Sequence, residues 1–273
     1  MAILNGDFVA LAILLLINVF TSDCSKLQMR VVGGSAAPAN SAPFIVSLQQ
    51  VTSTKNVHYC AGTILNTNWI VTAAHCLSSS NLVYNSVVLA GSILVSGTAS
   101  TAQTRSISYY VVNDLYVGGT APYDIGLVYV ATAFTWTNAV KPAALPTAGA
   151  VPTGTASLYG WGSTSTSSEA IYPTTLQVAS SVTIITLATC ESALGKDLSV
   201  NLHDTNICTG PLTGGISICT SDSGGPLMQG NTLIGIVSWG KLPCGQTNSP
   251  SVYVLVSDFI SWIFSNQKVP SLF

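Results

Sequence analysis

Three side chains in this sequence could together break an amide bond if the fold brings them to one place. Ser223 lies in "ICTSDSGGPLM" (218–228), between an aspartate and two glycines. An alcohol is a weak nucleophile at neutral pH, so such a serine needs an imidazole within hydrogen-bond reach and a buried carboxylate that fixes the imidazole's tautomer. His75, in "WIVTAAHC", ends an apolar run beside a cysteine able to pin the turn. Asp124, in "APYDIGLVYV", leads into another apolar run, where a charge is costly unless a partner satisfies it. Asp114, in the polar stretch "VVNDLY", is the weaker alternative.

Other chemistries fit less well. Three histidines (58, 75 and 203) and no CxxC pair leave a zinc site short of ligands at workable spacing, and no metal or cofactor is expected. Charged residues make up 7% of the 273, with a net charge of -2, so no basic patch exists to neutralise phosphates and nucleic acid is excluded as a partner. The one long apolar stretch, "FVALAILLLINVF" (8–20), is too short to span a bilayer comfortably. Small and polar residues follow it at "TSDCS", so residues 1–24 read as a secretory signal, despite Asp7 and the lack of Lys or Arg ahead of the apolar core. A secreted, extracellular protein with no membrane association after processing is the expectation. Of seven cysteines (24, 60, 76, 190, 208, 219, 244), six remain once Cys24 leaves with the leader, enough for three bridges with 15 pairings open.

The elements that must position these groups read as strands. Short runs rich in Val, Ile, Thr and Tyr, such as "APFIVSLQQV", "HYCAGTIL", "SVVLAGSILV", "TLQVASSVTII", "TLIGIVSWG" and "SVYVLV", alternate with Gly, Pro, Asn and Ser. An all-β barrel or sandwich architecture follows. The join between two halves is expected in "VKPAALPTAGAVPTG" (140–154), where prolines and glycines interrupt the pattern. One helix is expected at the C-terminal end, with Ser257 as its cap, Asp258 in its first turn and Phe259, Ile260, Ile263 and Phe264 along one face. "SGTASTAQT" and "GSTSTSSEA" read as exposed loops.

Six short motifs occur in one order: "RVVGG" (30–34), "TAAHC" (72–76), "DIGL" (124–127), "GWG" (160–162), "SDSGGPL" (221–227) and "SWG" (238–240). Together they resemble the chymotrypsin-like (trypsin-fold) serine peptidase family over residues 31 to about 268, in character closest to secreted insect midgut members. The resemblance implies two packed six-stranded antiparallel β-barrels with a C-terminal helix, about 31–142 and 143–273, and a catalytic cleft between them. It implies His75 as general base, Asp124 as its orienting carboxylate and Ser223 as nucleophile, with the backbone N–H groups of Ser221 and Ser223 as the oxyanion hole. Glycine usually stands where this chain has Ser221, and the substitution puts a side chain near the scissile carbonyl. Cleavage after Arg30, freeing a peptide of residues 25–30, would expose the Val31 α-amino group to pair with Asp222. The implied bridges are Cys60 to Cys76, Cys190 to Cys208 and Cys219 to Cys244.

The resemblance further places Ser217 at the base of the primary specificity pocket, with Ile218, Gly240 and Ser251 shaping it. An aspartate at the base would pair with Arg or Lys; a serine predicts an apolar side chain before the cleaved bond. Protein or peptide substrates, a separate trypsin-like activating protease and protein inhibitors are the implied partners, and a monomer is expected. The rival reading, resting on Ser221, is a catalytically weak homologue or a proteolytic lectin that acts by binding.

Overall fold

A computed structural model describes residues 31–268 of the chain; the leader, Arg30 and the last five residues, which include the end of the expected second barrel segment, lie outside the described residues. Thirteen strands appear: β1 (Ser35–Ala36), β2 (Ile45–Val51), β3 (Asn56–Ile64), β4 (Trp69–Thr72), β5 (Ser86–Ala90), β6 (Gln103–Val112), β7 (Gly126–Val130), β8 (Thr155–Gly160), β9 (Gln177–Ile185), β10 (Asn206–Thr209), β11 (Pro226–Gln229), β12 (Thr232–Gly240) and β13 (Ser251–Leu255). The helices are short: α1 (Ser80–Tyr84), α2 (Leu187–Leu194), α3 (Lys196–Ser199) and α4 (Ile260–Asn266).

Six strands close into a first antiparallel barrel in the order β2-β3-β4-β7-β6-β5. The second runs β9-β10-β13-β12-β11-β8 and closes through β8 and β9, with β1 added outside β9 by Ser35 opposite Val178. Polar alternation is absent from β4 and β13, whose residues are all buried. Such strands have the barrel interior on one face and packed structure on the other, so both faces select apolar or small residues. Leu48, Ile64, Ile70 and Leu127 fill one barrel, and Leu158, Leu227 and Tyr253 the other.

The two bodies are fastened at points that matter for the site. The Ala61 amide donates to the Ser223 carbonyl (2.8 Å), and the Phe44 and Tyr159 rings meet edge to face at 5.5 Å. The segment from Ala131 to Gly154 straps both: Ala143 N–H donates to Ile64 O (2.9 Å) and Ala144 N–H to Asn231 O (2.9 Å). All three disulfides of the family pattern are present, Cys60–Cys76, Cys190–Cys208 and Cys219–Cys244. Loops of this length contribute about 3 kcal/mol each in the chain-entropy view.

Two expectations need correction. The C-terminal helix begins at Ile260, after a 3₁₀ turn over Val256–Phe259, and Ser257 does not cap it: the buried hydroxyl donates instead to Ala150 O (2.7 Å). A tertiary acceptor on the barrel connector has taken the group that local sequence assigned to the helix start. Nor is "GSTSTSSEA" wholly exposed. Ser163, Thr164 and Ser165 are buried, with Ser163 N–H donating to Thr220 O (2.8 Å) and Ser163 Oγ accepting from Ser165 and Ile171 amides. Their hydroxyls satisfy backbone groups, which lets a polar segment wall in the loop that carries Ser223. Among the described residues, no helix is long and apolar enough to cross a membrane.

Candidate active site

The ladder between β4 and β7 sets the first two groups. Thr72 stands opposite Gly126, so the residues just past the end of β4 and just before β7 emerge side by side. His75 Nδ1 lies 2.8 Å from Asp124 Oδ2, and the His75 amide donates to Asp124 Oδ1 (2.9 Å). Ser238 Oγ donates to Asp124 Oδ2 at 2.6 Å. Three donors thus satisfy a carboxylate that is 1% exposed, while the His75 side chain keeps 30% exposure. With its Nδ1 proton held by Asp124, the imidazole presents Nε2 as the free lone pair. Asp114 is exposed on its loop.

Ser223 sits in the turn ahead of β11. Gly224, at φ +75°, packs so closely that a Cβ would collide with Thr72 Oγ1 and Ala61 O, so only glycine lets the Ser223 loop lie against the strand end that carries His75. No hydrogen bond joins His75 Nε2 to Ser223 Oγ; in hydrolases this contact commonly tightens only when substrate seats. The loop is shaped by Asp222 N–H to Cys219 O (3.0 Å), Gly224 N–H to Val237 O (2.8 Å) and Gly225 N–H to Asp222 O (3.0 Å). The amides of Ser221 and Ser223 donate to no acceptor among the described residues. Ser221 has φ +73°. A left-handed conformation costs an L-residue about 1–2 kcal/mol, so Ser221 is held in a backbone shape that glycine adopts more easily.

His58 was assigned no role from sequence, yet it orients that loop. Its Nε2 donates to Ser221 O (3.0 Å), its Nδ1 accepts from Ser47 Oγ (2.7 Å), and Gln49 Nε2 donates to Ser47 Oγ (3.0 Å). The Trp161 ring packs against it at 5.5 Å. A carbonyl can only accept, so Nε2 carries a proton. Burial pushes its pKa down to about 4, against the raising effect of the Ser221 carbonyl. The unfolded chain takes up this proton near pH 6.5 and the folded chain only near 4. Stability from this site is therefore complete above 6.5 and is lost as pH falls toward 4, by about 3 kcal/mol. Urea midpoints between pH 7 and 4.5 should fall accordingly, and His58→Gln should flatten that slope.

Asp222 is wholly buried, and its two oxygens accept from Gly162 N–H (2.8 Å) and Cys219 N–H (2.9 Å). Burial outweighs these bonds and pushes its pKa up to about 7. A Cβ at Gly160 or Gly162 would run into this carboxylate, which explains the glycines flanking Trp161. Val31 is also fully buried, in one cluster with Leu158, Ile218 and Leu227, and Val32 O accepts from Ser217 N–H (3.3 Å).

Beside Ser223 opens a pocket of about 180 Å³ lined by Ile218, Val237, Ser238, Trp239 and Gly240 among others. Ser217 and Ser251 lie buried behind it, with their hydroxyls tied to backbone: Ser217 Oγ donates to Ile218 O (2.5 Å) and accepts from Gly245 N–H (3.0 Å), and Ser251 Oγ accepts from Ile218 N–H (3.1 Å). Ile218 fills the slot opposite Gly240, where a Cβ would come within 3.3 Å of it. Among the described residues the one grouping with metal-ligand spacing is Cys60, His75 and Cys76, whose two sulfurs are bonded to each other.

A family model described as Trypsin matches residues 31–263. The chain belongs to the trypsin family. It is a serine endopeptidase by that membership, a hydrolase on the two-barrel scaffold described above. A lectizyme of Glossina austeni is 35% identical over 248 residues, covering 86% of this chain and 85% of that protein. Trypsin delta of Drosophila melanogaster is 35% identical over 241 residues (88% and 90%), and trypsin I-P1 of Gallus gallus 33% over 234 residues (86% and 88%).

Proposed function

We propose that this protein is a secreted, digestive-type serine endopeptidase, activated by cleavage after Arg30 and selective for an apolar side chain before the cleaved bond. Ser223 Oγ attacks the carbonyl, His75 Nε2 takes the proton and returns it to the leaving amine, and Asp124 holds the imidazole and stabilises its cation. The amides of Ser221 and Ser223 receive the oxyanion, and the Val31 ammonium supplies Asp222 with its missing countercharge. The observation that carries the specificity is the pocket itself. Ile218 narrows it, and the hydroxyls behind it are spent on backbone, so a buried Lys or Arg head group would find no carboxylate. Leu, Met, Phe and Tyr are the preferred side chains, with small aliphatics next.

A second reading has one specific support: Ser221 in a conformation that glycine adopts more easily, beside a relative whose name is lectizyme. On that reading the chain binds, as a weak homologue or proteolytic lectin, and hydrolyses poorly. One experiment separates them. The recombinant precursor is cleaved at Arg30 and treated with a serine-directed organophosphonate, with Ser223→Ala as control, then assayed on fluorogenic peptides that vary only the residue before the scissile bond. Labelling confined to cleaved wild type, with apolar residues preferred, supports the peptidase; no labelling supports the binding module, and an Arg or Lys preference overturns the pocket assignment.

A further inference from the structure

The wall that forms the specificity pocket continues into a free strand edge. β12 pairs with β13 as far as Gly240 opposite Ser251, but its pairing with β11 stops at Ile236 opposite Pro226. The other edge of Ser238–Gly240 therefore has no partner strand among the described residues. An extended peptide can add there through backbone hydrogen bonds. With the cleaved residue's side chain in the pocket beside Ser223 and the residues before it laid on this edge, they run from Ser238 toward Lys241, because Val237 is already bonded to Gly224 and Gly225. That direction is antiparallel to β12. At about 3.3 Å per residue, Lys241 stands about 10 Å along, beside the third and fourth peptide residues, counting the cleaved one as first.

Lys241 is exposed, contributes to the pocket rim and has its carbonyl anchored by Ser249 Oγ (3.3 Å). Among the described residues the one ion pair is His75 with Asp124, so the ammonium of Lys241 has no carboxylate partner. Glu169, on the loop whose Ser168 and Ala170 share a cavity wall with Leu242, forms no ion pair with it. An unpaired cation at the mouth of the cleft, in a chain with few charges, offers an electrostatic partner to an acidic group along this edge.

We infer that Lys241 is a specificity-determining residue that favours an acidic side chain at the third or fourth position on the N-terminal side of the cleaved bond. The inference rests on the peptidase reading above and adds to it a substrate class: peptides with an apolar residue at the cut and Asp or Glu two or three residues before it. An exposed pair of this kind changes kcat/KM by about two- to five-fold and weakens with salt.

The test uses the full chain converted at Arg30 and three fluorogenic hexapeptides with leucine before the cut, identical except for Glu, Gln or Lys at the third and fourth positions. In about 20 mM salt the expected order is Glu, then Gln, then Lys, with Glu over Lys by about five-fold. The ratio should shrink in about 500 mM salt, where the screening length is only a few ångströms. Lys241→Gln should bring the ratio near one and Lys241→Glu should invert it. Ratios are taken within each variant, so a common change in turnover cancels. Cleavage of the Gln peptide with equal rates for Glu and Lys in the wild type, or a ratio that Lys241→Gln leaves intact, overturns the role of Lys241 alone. No cleavage of any peptide overturns the peptidase reading and this inference with it.

Discussion

Asp124→Asn should leave a folded protein whose kcat falls about 10⁴-fold, the magnitude already established for the equivalent change in triads of this family. The geometry supplies the reason here. The carboxylate accepts from His75 Nδ1, from the His75 amide and from Ser238 Oγ, with one oxygen shared by two of them. An asparagine that keeps its oxygen toward the amide turns its NH₂ toward both Nδ1 and the serine hydroxyl. The imidazole then moves its proton to Nε2 so that Nδ1 can accept, and no lone pair remains for the Ser223 proton. Near-normal kcat in this variant, with an unchanged circular dichroism spectrum, would show that the carboxylate at residue 124 is not the orienting group.

Asp222→Asn is the second large effect. In the cleaved wild type, the Val31 ammonium is expected to neutralise a carboxylate that burial alone holds at a pKa of about 7. Asparagine carries no charge to attract that ammonium, and its NH₂ faces one of the two amides, Gly162 or Cys219, that the carboxylate satisfies. The loop bearing Ser221 and Ser223 should then lose its shape, with activity down by at least about 10²-fold, the effect of losing one oxyanion donor. Stability gives an independent readout. Above the ordinary aspartate range the buried, unpaired carboxylate destabilises the precursor as pH rises toward 7, because the folded form holds a proton that the unfolded form releases near 3.8. Cleavage after Arg30 should therefore raise the wild-type melting temperature near neutral pH and leave that of Asp222→Asn unchanged. Wild-type activity should decline above about pH 8, as the α-ammonium loses its proton. A fully active Asp222→Asn protein refutes the latch.

Much of this site could be read before any fold was known, because its groups lie in short segments with several constrained neighbours. "TAAHC" carries both a histidine and the cysteine that pins it, and "SDSGGPL" carries the glycine whose missing Cβ permits the approach to Thr72. His58 was not legible in this way. A histidine two residues before a cysteine looks like any half-buried strand residue, and its role exists only through Ser47, Gln49 and Ser221, the last of them 163 residues away. Ser257 misled for the converse reason. Its local sequence is a good helix start, but Ala150 O, 107 residues away, is the acceptor it uses. The "GSTSTSSEA" segment shows the same limit, since serines that satisfy backbone groups inside a wall have the composition of serines in water. Ile218 is placed at the pocket by resemblance alone, and its position opposite Gly240 depends on how β12 and the Ser223 loop face each other.

The division of the site between two separately closed barrels bears on how the cell can make such an enzyme safely. His75 and Asp124 are carried by the first barrel, and Ser223 belongs to the loop that enters the second. During synthesis His75 and Asp124 emerge from the ribosome well before Ser223, and a truncated or half-folded polypeptide holds only part of the proposed catalytic set. Lytic competence thus requires both halves to be finished and docked, so the assembly step itself guards against premature hydrolysis.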